Sequence, residues 1–230
     1  MKPFLLSAAI SIITLVITVT CEAYPLDGYW FTGITRLEGY RLAMEGKVRA
    51  PKQPPGALLS INQVDLRLQT ETEFEIPAGE SEFAVQIQNL LGAEADRYAV
   101  SVLDLTNIEN PRYAEHRSTE RANAGSVGKI LIALGMFQAL ADVYPDNVDT
   151  RLSILRNTQV TADEFIESDH HVVPLWQPGD SRVRYPKIQM GDQASLWTYL
   201  DWMLSASSNA AASMVLKHLM LLVQYGPSYP

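Results

Sequence analysis

The sequence predicts a mixed fold of the α+β kind, with helices and an antiparallel hairpin alternating along one chain. Three observations predict it. Phe83, Ile87, Leu90 and Leu91 recur at helical spacing and stop at Gly92. Residues 98–105 then alternate with β-branched members, residues 107–111 carry turn chemistry, and residues 112–116 read as the returning strand. Two strongly apolar helical segments follow, over 126–142 and 210–223.

Composition narrows the function classes. The 230 residues are 47% hydrophobic and 19% charged, which supplies a core and excludes a disordered chain. A net charge of −8 repels phosphate and argues against nucleic acid as the main partner. One cysteine gives no intramolecular disulfide framework. Four scattered histidines give no spacing for a multi-ligand metal site.

In chain order, Lys2 and the uncharged apolar run over 4–19 read as a secretory leader, with cleavage after Ala23. The expected location is therefore extracytoplasmic, secreted or periplasmic. Left uncleaved, the segment would act as a transient membrane anchor. Cys21 follows Thr18, Val19 and Thr20 rather than the leucine and small residue of a lipoprotein site. Residues 24–81 read as an N-terminal arm. Ile34, Leu37 and Leu42 hint at a helix that Gly39 weakens, Pro51, Pro54, Pro55 and Gly56 make a linker, and residues 64–68 alternate as a strand does. Its aromatic residues suit packing or a carbohydrate surface.

Residues 82–230 are the expected main domain. The helix over 126–142 has almost no polar face, so it is expected to be buried all round. A polar stretch over 144–190 carries a weak helical signal near Ile154. Asp192 then reads as the N-cap of a helix striped by Leu196, Leu200 and Leu204, with Trp197 and Met203 flanking the stripe. Ser205 to Asn209 interrupt that run before the last helix.

Two polar spots sit in these apolar surroundings. Ser126 and Lys129 form S-x-x-K, and residues three apart share a helix face, so hydroxyl and amine can meet. Burial favours the neutral amine, which can take the serine proton and activate the nucleophile. The Ser126 N–H, among the free donors at a helix start, can help hold an oxyanion. Taken alone, Ser126 is equally an ordinary cap and Lys129 a surface lysine. Ser207 and Asn209 form S-x-N between two helices, where a plain helix-to-helix turn is the competing reading.

The order of these parts resembles the penicillin-recognising serine enzymes, the serine β-lactamases and D-alanyl-D-alanine peptidases, and looks closest to the class A β-lactamase-like branch. The resemblance covers about residues 82–223. It implies an antiparallel sheet flanked by helices plus an all-helical lobe. It implies that Ser126 forms an acyl-enzyme, that Lys129 is the base or a relay to it, that Ser207 passes a proton toward the leaving nitrogen, and that Asn209 holds the substrate amide and the lysine. The implied partner is a small-molecule β-lactam or a peptidoglycan peptide, with no cofactor and no metal. A D-alanyl-D-alanine peptidase-like enzyme and a catalytically inactive cell-wall-binding homologue are the alternatives.

Three departures stand out. Ser208 replaces the aspartate of S-D-N. No K-T-G follows, the only lysine after Lys187 being Lys217. No glutamate follows Glu167, although the deacylating glutamate of the class A branch lies after S-x-N. Both missing parts would lie beyond Pro230, so the chain is expected to be incomplete at its C-terminus.

Two other clusters carry less. Asp169, His170 and His171 read as polar loop residues, because adjacent histidines on a strand face opposite ways. Asp163, Glu164 and Glu167 read as a solvated helix face.

Overall fold

A computed structural model describes residues 26–53, 59–71, 73–166 and 169–230. The leader expected over 1–23 lies outside the described residues, as do Pro54, Pro55, Gly56 and Glu167.

The N-terminal arm folds onto the helices that follow. A 3-10 turn, Leu26–Gly28, leads into α1, Tyr29–Thr32, and then α2, Thr35–Met44. Gly33 (φ 72°) turns the chain between the helices, a left-handed conformation open to glycine. Leu26, Ile34, Leu37 and Tyr40 are buried together with Trp176 and Val183 of the later loop. Gly39 does not weaken α2 but seats it: a Cβ there would lie 2.6 Å from Trp176 Cγ, so only glycine lets helix and indole meet. Arg36 clamps α2 to the later helix bearing Asp201, through two hydrogen bonds of 2.5 Å between largely buried side chains.

Residues 64–68 are not a strand. Among the described residues they pair with no neighbour, so their backbone groups find no ladder there, and Leu66 stays exposed. Arg67 instead donates to the carbonyl oxygens of Leu105 and Thr106.

The next unit follows the sequence pattern. Helix α3, Ser81–Leu91, ends at Gly92, and β1, Val100–Asp104, pairs antiparallel with β2, Arg112–His116, in the register Val102 opposite Ala114. Ala114 is buried, and α3 packs on β2. Glu80 accepts from Arg112, whose guanidinium also lies 4.5 Å from the centroid of the Phe83 ring.

A 3-10 turn, Gly125–Gly128, opens α4, Lys129–Val143. Helix α5, Val148–Asn157, is capped by Asn147, whose side chain accepts from the Thr150 N–H. Two three-residue strands, β3 (Gln159–Thr161) and β4 (Gln193–Ser195), pair antiparallel and bring the ends of the intervening loop together. Helix α6, Leu196–Ser205, and α7, Asn209–Tyr225, complete the order. Ser195, not Asp192, caps α6 by accepting from the Thr198 N–H. Asp192 instead holds the preceding turn through the Gln189 N–H.

Helices α4, α6 and α7 share one core. Met136 and Leu140 of α4 meet Tyr199, Leu200 and Met203 of α6 and Met214, Val215 and Leu222 of α7. Each such side chain removed from water contributes about 1.5–3 kcal/mol. The expectation that α4 is buried all round does not hold. Ala133, Met136 and Leu140 face the core, whereas Leu131 is 71% and Leu134 57% exposed, with Ile130 and Phe137 also exposed. Apolar composition marks this helix, by length and hydropathy, as one that could cross a membrane, yet one of its faces is committed to the protein core. Nor do Asp163 and Glu164 lie on a helix: Asp163 pairs with Lys217 of α7.

Candidate active site

Local rules bring the first motif together. The turn into α4 keeps Ser126 and Lys129 on one side, and Lys129 Nζ lies 3.1 Å from Ser126 Oγ. Ser126 is exposed, whereas Lys129 is 7% exposed. The hydroxyl can therefore meet a solute while the amine is held inside.

The second motif arrives through the fold. Packing of α6 and α7 against α4 places their connecting turn on the same lysine. Lys129 Nζ donates to Asn209 Oδ1 at 2.7 Å and to the Ser207 carbonyl oxygen at 2.7 Å, and lies 3.2 Å from Ser207 Oγ. All four sequence-predicted residues, Ser126, Lys129, Ser207 and Asn209, thus converge on one nitrogen.

The valences matter. The carbonyl of Ser207 and the Oδ1 of Asn209 can only accept, and they take two N–H bonds from the lysine. The remaining valence of Nζ faces the hydroxyls of Ser126 and Ser207, which can donate or accept. A neutral amine in this place would turn its lone pair to a serine proton. With Oδ1 on the lysine, the amide NH₂ of Asn209 remains as a donor for a carbonyl.

Ser207 is held in an unusual backbone conformation. Its φ is 56°, in the left-handed region that costs an L-residue about 1–2 kcal/mol. Non-glycine residues persist there when the surroundings over-determine them, and such residues cluster at functional sites.

Ser208 begins α7. Its hydroxyl accepts from the Ala211 N–H and its carbonyl from the Ala212 N–H. Asp169 completes the cap. Its Oδ2 accepts from Ser208 Oγ at 2.9 Å, from the Asn209 N–H at 2.6 Å and from the Ala210 N–H at 3.0 Å. Its Oδ1 accepts from the His171 N–H at 3.0 Å and lies 2.5 Å from His171 Nδ1. Partial burial raises the Asp169 pKa, but the bonds from Ala210, His171 and Ser208 outweigh it and hold this carboxyl well below its ordinary value.

By its sequence context Asp169 reads as a polar loop residue. Its position in sequence, 39 residues before Ser208, carries no local signal for the contact. Asp169, His170 and His171 are also the one group among the described residues compact enough to ligate a metal. The two imidazoles lie on the same side, ring centroids 4.2 Å apart, contrary to the opposite faces expected of a strand. The segment is a loop, so strand alternation does not apply. His116 and His218 do not join them: His116 contacts Gln88 and Ala95, and His218 contacts Tyr229.

A cavity of about 450 Å³ lies between the arm and α6, lined by Phe31, Ile34, Trp197 and Leu200 among others. None of the four convergent residues lines it. The four residues thus lie apart from this cavity, with the Ser126 hydroxyl exposed over the buried Lys129.

Comparison with protein families, with curated proteins and with solved structures finds no match to this chain.

Proposed function

We propose that this protein transfers acyl groups to Ser126 and hydrolyses a β-lactam or a related amide next to a carboxylate, in a β-lactamase-like fold. The observation that carries the reading is the meeting of two motifs on Lys129 Nζ, with Ser126 on one side and Ser207 and Asn209, 78 and 80 residues later, on the other. In this reading the Ser126 Oγ attacks the amide carbonyl carbon and its proton passes to the Lys129 amine. The carbonyl π electrons move to oxygen, and the Ser126 N–H helps to hold that oxyanion. The C–N bond then breaks, and the nitrogen takes a proton relayed through the Ser207 hydroxyl. The Asn209 NH₂ supports the substrate carbonyl. Water later cleaves the ester and regenerates Ser126.

The lysine serves this scheme because it touches both hydroxyls. One nitrogen can receive the proton from the nucleophile and return it toward the leaving group. A fluorescent penicillin tests the reading: wild type becomes covalently labelled and Ser126→Ala does not. A wild type that stays unlabelled across pH and time, or a Ser126→Ala protein that labels equally, overturns it.

A further inference from the structure

We infer that Asp169 is a positioning residue that holds the Ser207–Asn209 turn on Lys129. Where S-D-N carries an aspartate inside the turn, this chain has Ser208, and a carboxylate reaches the same turn from another loop.

The first N–H groups of a helix have no partner within it and need outside acceptors. In α7 all four are accounted for. Asp169 takes those of Asn209 and Ala210, the Ser208 side chain takes that of Ala211, and the Trp202 carbonyl takes that of the capping Ser208 itself. A serine cap alone serves one of these, so those of Asn209 and Ala210 depend on Asp169. The same carboxylate oxygen also accepts from the Ser208 hydroxyl, fixing the rotamer that caps Ala211.

Geometry ties this cap to Lys129. Asn209 presents its backbone N–H to Asp169 and its side-chain Oδ1 to Lys129. Ser207, next to the buried Ser208, presents both its carbonyl and its hydroxyl to the same lysine while held at φ 56°. Hydrogen bonds to a charged acceptor at a helix N-terminus are stronger than neutral ones. They supply the restraint that a left-handed serine needs. His171 steadies the carboxylate from the other side, through its N–H and its ring. Asp169 touches no reacting atom; it acts through Ser207 and Asn209.

The test has two arms, the second of which rests on the acyl-transfer reading. The first is amide hydrogen exchange. Asp169→Ala is expected to speed exchange at Asn209 and Ala210 by at least about tenfold, as loss of a charged acceptor implies. The second is the acylation of Ser126 by fluorescent penicillin, in which the saturating rate falls by about tenfold or more and the half-saturating concentration stays near that of wild type. Adding Ser208→Asp to Asp169→Ala is expected to restore both, because aspartate is itself a strong N-cap. If Asp169→Ala does not fold, Asp169→Asn keeps the shape and carries both readouts. Unchanged exchange at Asn209 and Ala210 overturns the proposal, and so does an unchanged acylation rate in a protein that labels. A wild type that never labels removes the acyl-transfer reading alone; the exchange arm then decides whether Asp169 holds the turn.

Discussion

Lys129 Nζ stands 2.7 Å from the carbonyl oxygen of Ser207 and 3.2 Å from its hydroxyl, so one serine meets the lysine through both backbone and side chain. This double contact ties the placement of Lys129 Nζ to the conformation of a single residue. Lys129→Met keeps the apolar stem and removes the amine. The expected result is a loss of about 10²–10⁴-fold in Ser126 labelling, the range for a general base. Lys129→Arg is not expected to rescue it, since a guanidinium stays charged and cannot accept the proton. Stopped-flow labelling measures both.

Ser207→Gly separates stability from activity. Glycine adopts φ 56° without the penalty of a Cβ, so the melting temperature is expected to rise by the equivalent of about 1 kcal/mol. Labelling is expected to fall, because the hydroxyl facing Lys129 is gone. A lower melting temperature would contradict this account of the turn.

Gly39→Ala is expected to destabilise. Intrinsic helix propensity favours alanine by about 1 kcal/mol, but the new methyl would sit 2.6–2.9 Å from three Trp176 atoms. Overpacking of this kind costs about 1–3 kcal/mol, so the clash is expected to outweigh propensity. Chemical denaturation of the two proteins gives the sign directly.

Arg36 and Asp201 form the buried clamp between the arm and α6. Removing one partner leaves a buried charge, so Asp201→Ala is expected to cost about 3–5 kcal/mol. Replacing both with apolar residues of similar volume is expected to be near neutral. A double-mutant cycle checks the pair.

Acidity is expected to destabilise the fold through His218. Burial first, and the Lys217 charge second, lower its pKa from the ordinary 6.5, while Asp163 raises it less; its Nδ1 meets the Tyr229 hydroxyl. The unfolded chain therefore binds this proton at a higher pH than the folded one. The His218 contribution is complete above about 6.5, and stability declines as pH falls below that value. Asp169 behaves in the same direction at lower pH: its depressed pKa gives stability that is present above the ordinary carboxylate value of 3.8 and lost as pH falls further. Melts against pH for wild type and His218→Gln check this, the variant losing the step near 6.5.

Local pattern carried much of the fold. Phe83, Ile87 and Leu91 with Gly92 marked α3, and the turn residues over 107–111 placed β1 against β2. Elements defined by distant partners were not legible. Gly39 reads as a helix breaker until Trp176 lies against it, and strands β3 and β4 are too short for periodicity. Leu131 and Leu134 of α4 are exposed despite its apolar sequence, because composition does not say how many faces a helix gives to the core. At the site, S-x-x-K is a local geometry, whereas its meeting with Ser207 and Asn209 came only from the resemblance. Asp169 carries no sequence signal at all for its cap, since helix N-termini accept carboxylates from anywhere in the chain.

The contact between Gly39 and Trp176 also makes the protein its own optical probe. The indole is 4% exposed under α2 and donates its N–H to the Asp180 carbonyl, whereas Trp30 is already 72% exposed. Lifting the arm would wet Trp176 and shift its emission to the red, so arm docking can be followed by intrinsic fluorescence, without a label and without any reaction at Ser126.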